Sequence, residues 1–193
     1  LEAKEISIDV ETRDPDLKTF GPGWPTKNGE VVGYAIAIPG WKGYFPVNHL
    51  GGGNMDARQI NKWLKKVFEA PGDKIMHNAQ YDLGWIRAMG FEVKGRVIDT
   101  MLTAALLDEN RFSYSLNALC YEYDPKGEMW KLPAMYVGPY AEVDAEITLE
   151  LWNHFKNLLN KEDLWDIWNL ETDLLPCLVE MTEKGIRFDE DQA

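Results

Sequence analysis

Residues 5–12, EISIDVET, decide the fold that this sequence predicts. Apolar side chains alternate with polar ones there, so Glu5–Val10 is predicted to be a β-strand with one buried face. Asp9 lies on the polar face, and Glu11 follows on the same face. Two neighbouring carboxylates repel each other unless a cation lies between them. The pair therefore indicates either a divalent-metal site or a strand that runs out into solvent, and the strand alone does not separate the two interpretations.

Two more apolar runs follow the first strand, and short helices and strands follow them. Val31–Ile38 and Trp41–Val47, separated by the turn at Pro39–Gly40, predict a three-strand antiparallel meander together with the first strand. The later elements are predicted as a helix from Asp56, a strand at Lys74–Met76, a helix that ends at Gly90, a strand at Val97–Ile98, and helices at Thr100–Leu107 and Ser115–Tyr121. The predicted fold class is α/β, a mixed β-sheet of the meander plus parallel strands, flanked by helices.

The last third of the chain predicts long helices. Residues 124–139 lack a regular apolar period, and Pro139 stands where a helix often begins. That helix is predicted to run from residue 140 to about residue 159. A final amphipathic stretch, residues 162–184, is predicted to be helical and broken near Pro176.

Composition and charge exclude several classes of protein. Hydrophobic residues make up 45% of the 193 residues, which is enough for a packed core and too many for a disordered chain. The net charge of −12 excludes a protein that holds nucleic acid on a broad basic surface. No apolar run reaches the ~20 residues of a membrane-spanning helix, so no membrane partner is expected. Cys120 and Cys177 are predicted to be buried free thiols in a reducing compartment.

Two pairs of polar residues are each separated by one helical turn. Asn78 and Asp82 are four residues apart at the start of a predicted helix, and Tyr140 and Asp144 have the same separation. Residues at that spacing lie on one helix face. Each pair also has a structural interpretation, in which the Asn caps its helix or the Tyr packs, and the carboxylate is solvated. Neither pair indicates a site by itself.

The first strand and the two helical segments, taken in order, resemble the three exonuclease motifs of the DEDD superfamily. The form with a tyrosine is that of the 3′–5′ proofreading domain of family A DNA polymerases. The motifs are ISIDVET at residues 6–12, MHNAQYDLGWI at residues 76–86 and YAEVDAEITLEL at residues 140–151. The resemblance covers about residues 4–160 and implies a ribonuclease H-like fold. It also implies a metal-dependent nuclease that releases nucleotides from the 3′ end of single-stranded or frayed DNA.

Catalytic roles follow from the resemblance. It implies two divalent ions, Mg²⁺ or Mn²⁺, roughly 4 Å apart. One ion would be held by Asp9, Glu11 and Asp144. The other would be held by Asp9 and Asp82, largely through water. Tyr140 would orient the attacking water and would be a poor general base, because a phenol has a pKa of about 10.

Substrate-binding roles follow in the same way. Thr12 and Asn78 would hold the 3′-terminal nucleotide. The family usually has a Gly-Leu turn after the first motif, and its Leu packs against the terminal base. This chain has RDPDL at residues 13–17, so both Leu17 and Pro15 are candidates for that contact.

The final segment places the domain in a longer chain. Residues 169–189 resemble the connection to the polymerase domain in the same family. We therefore expect an exonuclease domain at residues 1–160 and a helical stub at residues 161–193 that leads into a polymerase domain. The expected partners are that polymerase domain and the 3′ end of single-stranded DNA. The cytoplasm of a bacterial or phage-infected cell is the expected location, with an organelle as the alternative.

Two other functions stay open. An exonuclease of the same catalytic family that trims RNA 3′ ends would share the four carboxylates and the tyrosine, and would differ only in its binding groove. A non-catalytic domain that scaffolds a polymerase is the second alternative. All four carboxylates are present in this sequence, which argues against the scaffold.

Overall fold

The computed structural model describes residues 3–120 and 134–187, and a five-stranded sheet lies at its centre. The strands are β1 (Glu5–Arg13), β2 (Glu30–Ile38), β3 (Trp41–Pro46), β4 (Asp73–Met76) and β5 (Val97–Asp99). Their order across the sheet is β3-β2-β1-β4-β5. Strands β1, β2 and β3 form the predicted antiparallel meander, and β4 and β5 extend the sheet in parallel with β1. The predicted mixed α/β sheet is confirmed.

Helices flank this sheet. They are α1 (Leu17–Phe20), α2 (Ala57–Phe68), α3 (Ala79–Ala88), α4 (Thr100–Leu107), α5 (Leu116–Cys120), α6 (Ala134–Glu162) and α7 (Trp165–Lys184). Within residues 3–120 and 134–187, no helix is both long and apolar enough to cross a bilayer.

Strand β1 lies in the middle of the sheet. It continues past its predicted end to Arg13, and Asp9 pairs across to Ala35 of β2. Ile8 is fully buried on one face of β1, and Ser7 is fully buried on the other. A central strand does not run out into solvent at Asp9. The solvent interpretation of the two acidic residues is therefore wrong.

The two faces of the sheet have separate hydrophobic cores. On one face, Ile8 packs with Leu64 of α2 and Leu83 of α3. On the other face, where Ser7 and its partner Ile75 lie, Ile75 of β4 packs with Trp152 of α6. The buried aliphatic and aromatic side chains fix helices α3 and α6 against the strands.

Helix α6 begins earlier than the sequence predicts. It starts at Ala134, so the predicted irregular segment is wrong for residues 134–139, and residues 124–133 lie outside the described part of the chain. Pro139 lies inside the helix, not at its first position. Val137 explains the difference, because it is fully buried and packs with Ala141 against β2 and β3. Tertiary packing extends the helix across the proline.

Helix α7 is continuous, and the predicted break near Pro176 is wrong. The proline cannot donate a hydrogen bond to the carbonyl of Thr172. The helix nevertheless continues, because Leu175 and Val179 on either side of the proline are buried in the core of α3 and β1. The prediction for Cys177 is also wrong in one respect, since this thiol is free but exposed. That residues 161–193 lead into a further domain stays a prediction. Helix α7, within this segment, packs on α3 and β5.

Candidate active site

Three elements bring the predicted acidic residues together at the carboxyl ends of the parallel strands. Strand β1 carries Asp9 and Glu11, helix α3 carries Asp82, and helix α6 carries Asp144. Burial raises the pKa of Asp9 well above its ordinary value, and the charges of the other three carboxylates raise it further. The four acids thus act on one another electrostatically. We call these four residues the acidic cluster.

Glu11 and Asp144 interact within this cluster. Burial raises the pKa of Glu11 to about 7, and the charge of Asp144 contributes to that increase. Raised carboxyl pKa values are what a group of like charges shows when no cation neutralises it. The cluster is therefore costly as a purely structural feature.

Asp82 is fixed to the strand that carries Asp9. The backbone N–H of Val10 donates a hydrogen bond of 3.1 Å to Oδ1 of Asp82, which is 3% exposed. Burial raises the pKa of Asp82 well above its ordinary value, whereas the Val10 hydrogen bond acts in the opposite direction. This contact fixes the separation of α3 from β1, and with it the geometry of the acidic cluster.

Tyr140 lies one helical turn before Asp144 and hydrogen-bonds to it. Burial raises the pKa of Tyr140, and Asp144 raises it further, through the hydrogen bond and then through its charge. The phenol is therefore protonated at neutral pH. It can donate a hydrogen bond in the site but cannot remove a proton from water.

Asn78 occupies the position before helix α3 in a left-handed conformation, with φ of 63°. Its exposed side chain makes no capping hydrogen bond, so the interpretation of Asn78 as a simple cap is wrong. The backbone N–H of Asn78 instead donates to Oδ1 of Asp99 at 3.0 Å, and that of Ala79 donates to Oδ2 at 2.9 Å. This arrangement leaves the Asn78 amide at the surface beside the carboxyl end of β4.

Asp99 is a structural residue of the site that sequence reasoning missed. It also accepts a hydrogen bond of 2.8 Å from the backbone N–H of Met101, so one buried carboxylate caps two helices. An Asp directly before a predicted helix often caps it, so the cap on Thr100–Leu107 could have been predicted from the sequence. The hydrogen bond from Asn78, 21 residues away in the chain, could not.

Two of the predicted nucleotide-binding residues, Thr12 and Leu17, lie on β1 and α1. Oγ1 of Thr12 lies 2.7 Å from the Tyr81 hydroxyl, which also donates to Asp14 at 3.1 Å. Leu17 is 41% exposed at the start of α1, and Phe20, which sequence reasoning did not single out, is 83% exposed. The short helix α1 thus presents two apolar side chains to solvent.

His77, next to Asn78, is structural. Its ring nitrogens lie 2.8 Å from Oγ1 of Thr100 and 3.0 Å from the carbonyl of Tyr114. Burial lowers the pKa of His77 to about 4. The ring is therefore neutral and already bonded, as expected for a packing residue.

The chemistry of the cluster fits a hard divalent cation. All four side chains offer carboxylate oxygens, the ligands that Mg²⁺ and Mn²⁺ favour. In the part of the chain that the structure describes, no three Asp, Glu, His or Cys side chains already stand in a coordinating arrangement. Ion binding would therefore require these side chains to turn toward a common point.

A mixed sheet of this topology, flanked by helices, is the ribonuclease H-like fold. The chain belongs to the 3′–5′ exonuclease family of family A DNA polymerases, whose family profile matches residues 1–160. It is 36% identical to a DNA-directed DNA polymerase of Pseudomonas phage M6, over 98% of this chain and 32% of that one. Further relatives are DNA polymerases of other phages and DNA polymerase I of bacteria. The chain spans about a third of the length of the first relatives it matches.

Solved structures with the same fold are more distant in sequence. NrnC of Brucella melitensis with bound Mg²⁺ superposes with a TM-score of 0.73 at 16% identity, covering 95% of this chain and 87% of that one. Escherichia coli RNase D, an exoribonuclease, superposes with a TM-score of 0.65 at 16% identity, covering 96% of this chain and 46% of that one. At such identities these likenesses show the fold alone.

Proposed function

We propose that this domain hydrolyses the 3′-terminal phosphodiester of single-stranded or frayed DNA in a reaction that depends on Mg²⁺ or Mn²⁺. The observation that carries the proposal is the meeting of Asp9, Glu11, Asp82 and Asp144 from three elements, with Tyr140 beside them. The fold alone does not require four acids, of which Asp82 is buried, to lie in one place. A two-metal-ion nuclease does require them, because the acids hold the cations at the phosphate.

The cluster would hold two ions. Asp9 is the candidate bridging ligand, since the charges of Glu11, Asp82 and Asp144 all act on it. When bound, two such ions activate a water molecule and neutralise charge on the attacking and leaving oxygens. The chain's part is to fix the ligands, and the Val10 to Asp82 hydrogen bond fixes one of them.

Other side chains would orient the reactants. Tyr140, which stays protonated, would position the attacking water by hydrogen bonding. Asn78 is exposed at the turn before α3, and Thr12 is the next residue after Glu11, so both can contact the terminal nucleotide. Leu17 would pack against the terminal base from α1.

We also propose that the domain proofreads for a polymerase domain in the same longer protein. Support comes from the phage relatives, which are named DNA polymerases and of which this chain covers about a third. Trimming of RNA 3′ ends is the second candidate, because RNase D has the same fold. The polymerase relatives favour DNA, since they are more similar in sequence than RNase D.

A parallel digestion tests the substrate. Matched DNA and RNA single strands are incubated with the protein and Mg²⁺ or Mn²⁺, and released mononucleotides are counted. We expect faster release from DNA, and no release by the Asp82→Ala variant on either substrate. Faster release from RNA would overturn the DNA assignment, and no release from either would overturn the nuclease proposal.

A further inference from the structure

A second tyrosine lies beside the acidic cluster, on strand β3. In the sheet, Tyr44 pairs with Ala35, which in turn pairs with Asp9. Side chains of residues paired across neighbouring strands lie on the same face of a sheet. Tyr44 therefore lies on the same face of the sheet as Asp9. Ala35 is small enough to leave room between the two.

The Tyr44 ring extends from the line of paired residues that contains Ala35 and Asp9 toward the line that contains Gly33 and Glu11. Glu11 pairs with Gly33, and a Cβ placed on Gly33 would lie 1.9 Å from the Tyr44 hydroxyl. The phenol therefore occupies the space that a side chain at Gly33 would take. Cβ positions of directly paired residues are about 5 Å apart, so the hydroxyl is close to the Glu11 side chain. The charges of Glu11 and then Asp9 act on this phenol and, after its burial, raise its pKa.

His49 holds the phenol in that place. Nε2 of His49 lies 2.6 Å from the Tyr44 hydroxyl, and the histidine is 3% exposed. Asn54 in turn fixes the backbone of His49, since its Oδ1 accepts from the backbone N–H of His49 at 2.7 Å and its Nδ2 donates to the His49 carbonyl at 2.8 Å. Asn54, which follows the glycines at 51–53, thus connects that loop to His49 and to Tyr44.

The backbone of Tyr44 is fixed to the helix that carries the catalytic tyrosine. Its N–H, on the edge strand, donates a hydrogen bond of 3.0 Å to Oε1 of Glu142 in α6. Tyr140 and Asp144 flank Glu142 in that helix. The position of Tyr44 is therefore linked to α6, one of the three elements that form the acidic cluster.

We propose that Tyr44, held by His49 and Asn54, is a positioning residue that limits how far the Glu11 side chain can turn away from the acidic cluster, where it would ligate a metal ion. The ring fills the surface over Gly33, and the hydroxyl bounds the space into which Glu11 could otherwise turn. The metal-related part of this inference rests on the proposed function. The restriction of Glu11 itself is a property of the chain alone.

The first test needs no metal. Side-chain order of Glu11 is measured by NMR relaxation in the metal-free full chain, for wild type and for Tyr44→Phe. Tyr34→Phe is the matched control, because Tyr34 is also buried, lies on the opposite face of the sheet, and has a hydroxyl with no hydrogen-bond partner among the described residues. We expect Tyr44→Phe to lower the order of Glu11 and Tyr34→Phe to leave it unchanged. Equal order in all three proteins would overturn the proposal.

The second test measures Mn²⁺ affinity by calorimetry. Tyr44→Phe should weaken binding roughly tenfold, the size typical of residues that orient metal ligands, and Tyr34→Phe should not. His49→Leu should behave as Tyr44→Phe does, whereas His49→Gln, which can still hydrogen-bond the phenol, should restore much of the affinity. Wild-type affinity in both Tyr44→Phe and His49→Leu would overturn the positioning role. If wild type binds no Mn²⁺ while Glu11 still loosens in Tyr44→Phe, the proposed function fails and the positioning inference stands.

Discussion

At the scale of single residues, the site consists of like charges held close together. Asp9 and Asp82 have pKa values well above the ordinary value for Asp, with burial as the first cause. Folding therefore gathers carboxyl groups that would be separate and ionised in the unfolded chain. The hydrogen bond from Val10 and the fixed turn at Asn78 hold them there. A bound cation would offset the repulsion between these carboxylates.

Metal affinity should depend on pH through Glu11. Its pKa of about 7 means that below this pH the side chain is mostly protonated and cannot ligate an ion. Lowering the pH then makes the ion compete with a proton, so affinity for Mn²⁺ should fall by up to about tenfold per pH unit below 7 for each proton displaced. Calorimetry between about pH 5.5 and 8 measures this. Glu11→Gln is the control and should bind weakly with a shallower pH dependence. An affinity that does not change with pH would contradict the assignment of Glu11.

Tyr140 should affect rate and not metal binding. Tyr140→Phe removes the hydroxyl that would orient the attacking water, so kcat should fall roughly 10- to 100-fold. The phenol is protonated and is not a ligand, so Mn²⁺ affinity should stay near that of wild type. Single-turnover digestion and calorimetry separate the two quantities, with Tyr34→Phe as control. A large loss of Mn²⁺ affinity together with the rate would show that Tyr140 acts through the metal ligands.

At the scale of elements, α7 is part of the domain's packing. Trp168 is buried, stacks on Trp152 of α6 with centroids 5.1 Å apart, and lies under the guanidinium of Arg96. Arg96 also forms an ion pair with Asp173 at 2.7 Å. These contacts attach α7 to β5 and α6.

Truncation of one buried residue of α7 should therefore destabilise the whole domain. Leu175 is 4% exposed, and Leu175→Ala should cost about 2–5 kcal/mol of the free energy of unfolding. The adjacent Leu174 is 43% exposed, and Leu174→Ala should change stability by no more than about 0.5 kcal/mol. Urea unfolding of the two variants measures the difference. Equal effects would mean that α7 does not contribute to the domain core in solution.

The predictable elements are those whose own sequence has a clear period. Strands β1 to β3 and helix α4 could be predicted because alternating or continuous apolar runs, bounded by turn residues, define them locally. The start of α6 and the continuity of α7 could not, since buried Val137 and Leu175 stabilise helix across two prolines. The same limit applies to the site. The resemblance to the exonuclease motifs grouped the four acids, whereas Asp99 and Tyr44 act through contacts between distant segments.

At the scale of the whole molecule, the negative charge is unevenly distributed. Residues 1–161 carry a net charge of −4 and residues 162–193 carry −8. The acidic cluster contains four carboxylates, so the rest of residues 1–161 is balanced. The net charge of the molecule therefore provides no overall attraction for DNA, and its contact with a strand end should be local.

Salt should accordingly have little effect on DNA binding. Few phosphates are neutralised by Lys or Arg, so the slope of log affinity against log salt should be no steeper than about −2 for a single strand, equivalent to roughly three phosphate contacts. Fluorescence anisotropy with a labelled oligonucleotide in Ca²⁺, which replaces Mg²⁺ with a larger and more flexibly coordinated ion, measures the slope. A much steeper slope would reveal an extended cationic track.

The central claim is that the acidic cluster hydrolyses DNA from the 3′ end. The direct measurement follows a 3′-labelled single strand with Mg²⁺, comparing wild type, Asp9→Ala and the control Glu92→Ala, an exposed acid near the start of β5 at the opposite end of the sheet. The account predicts immediate release of labelled mononucleotide by wild type and Glu92→Ala, with none by Asp9→Ala or in chelator. Undiminished release by Asp9→Ala, or an intact strand after incubation with wild type, would contradict it.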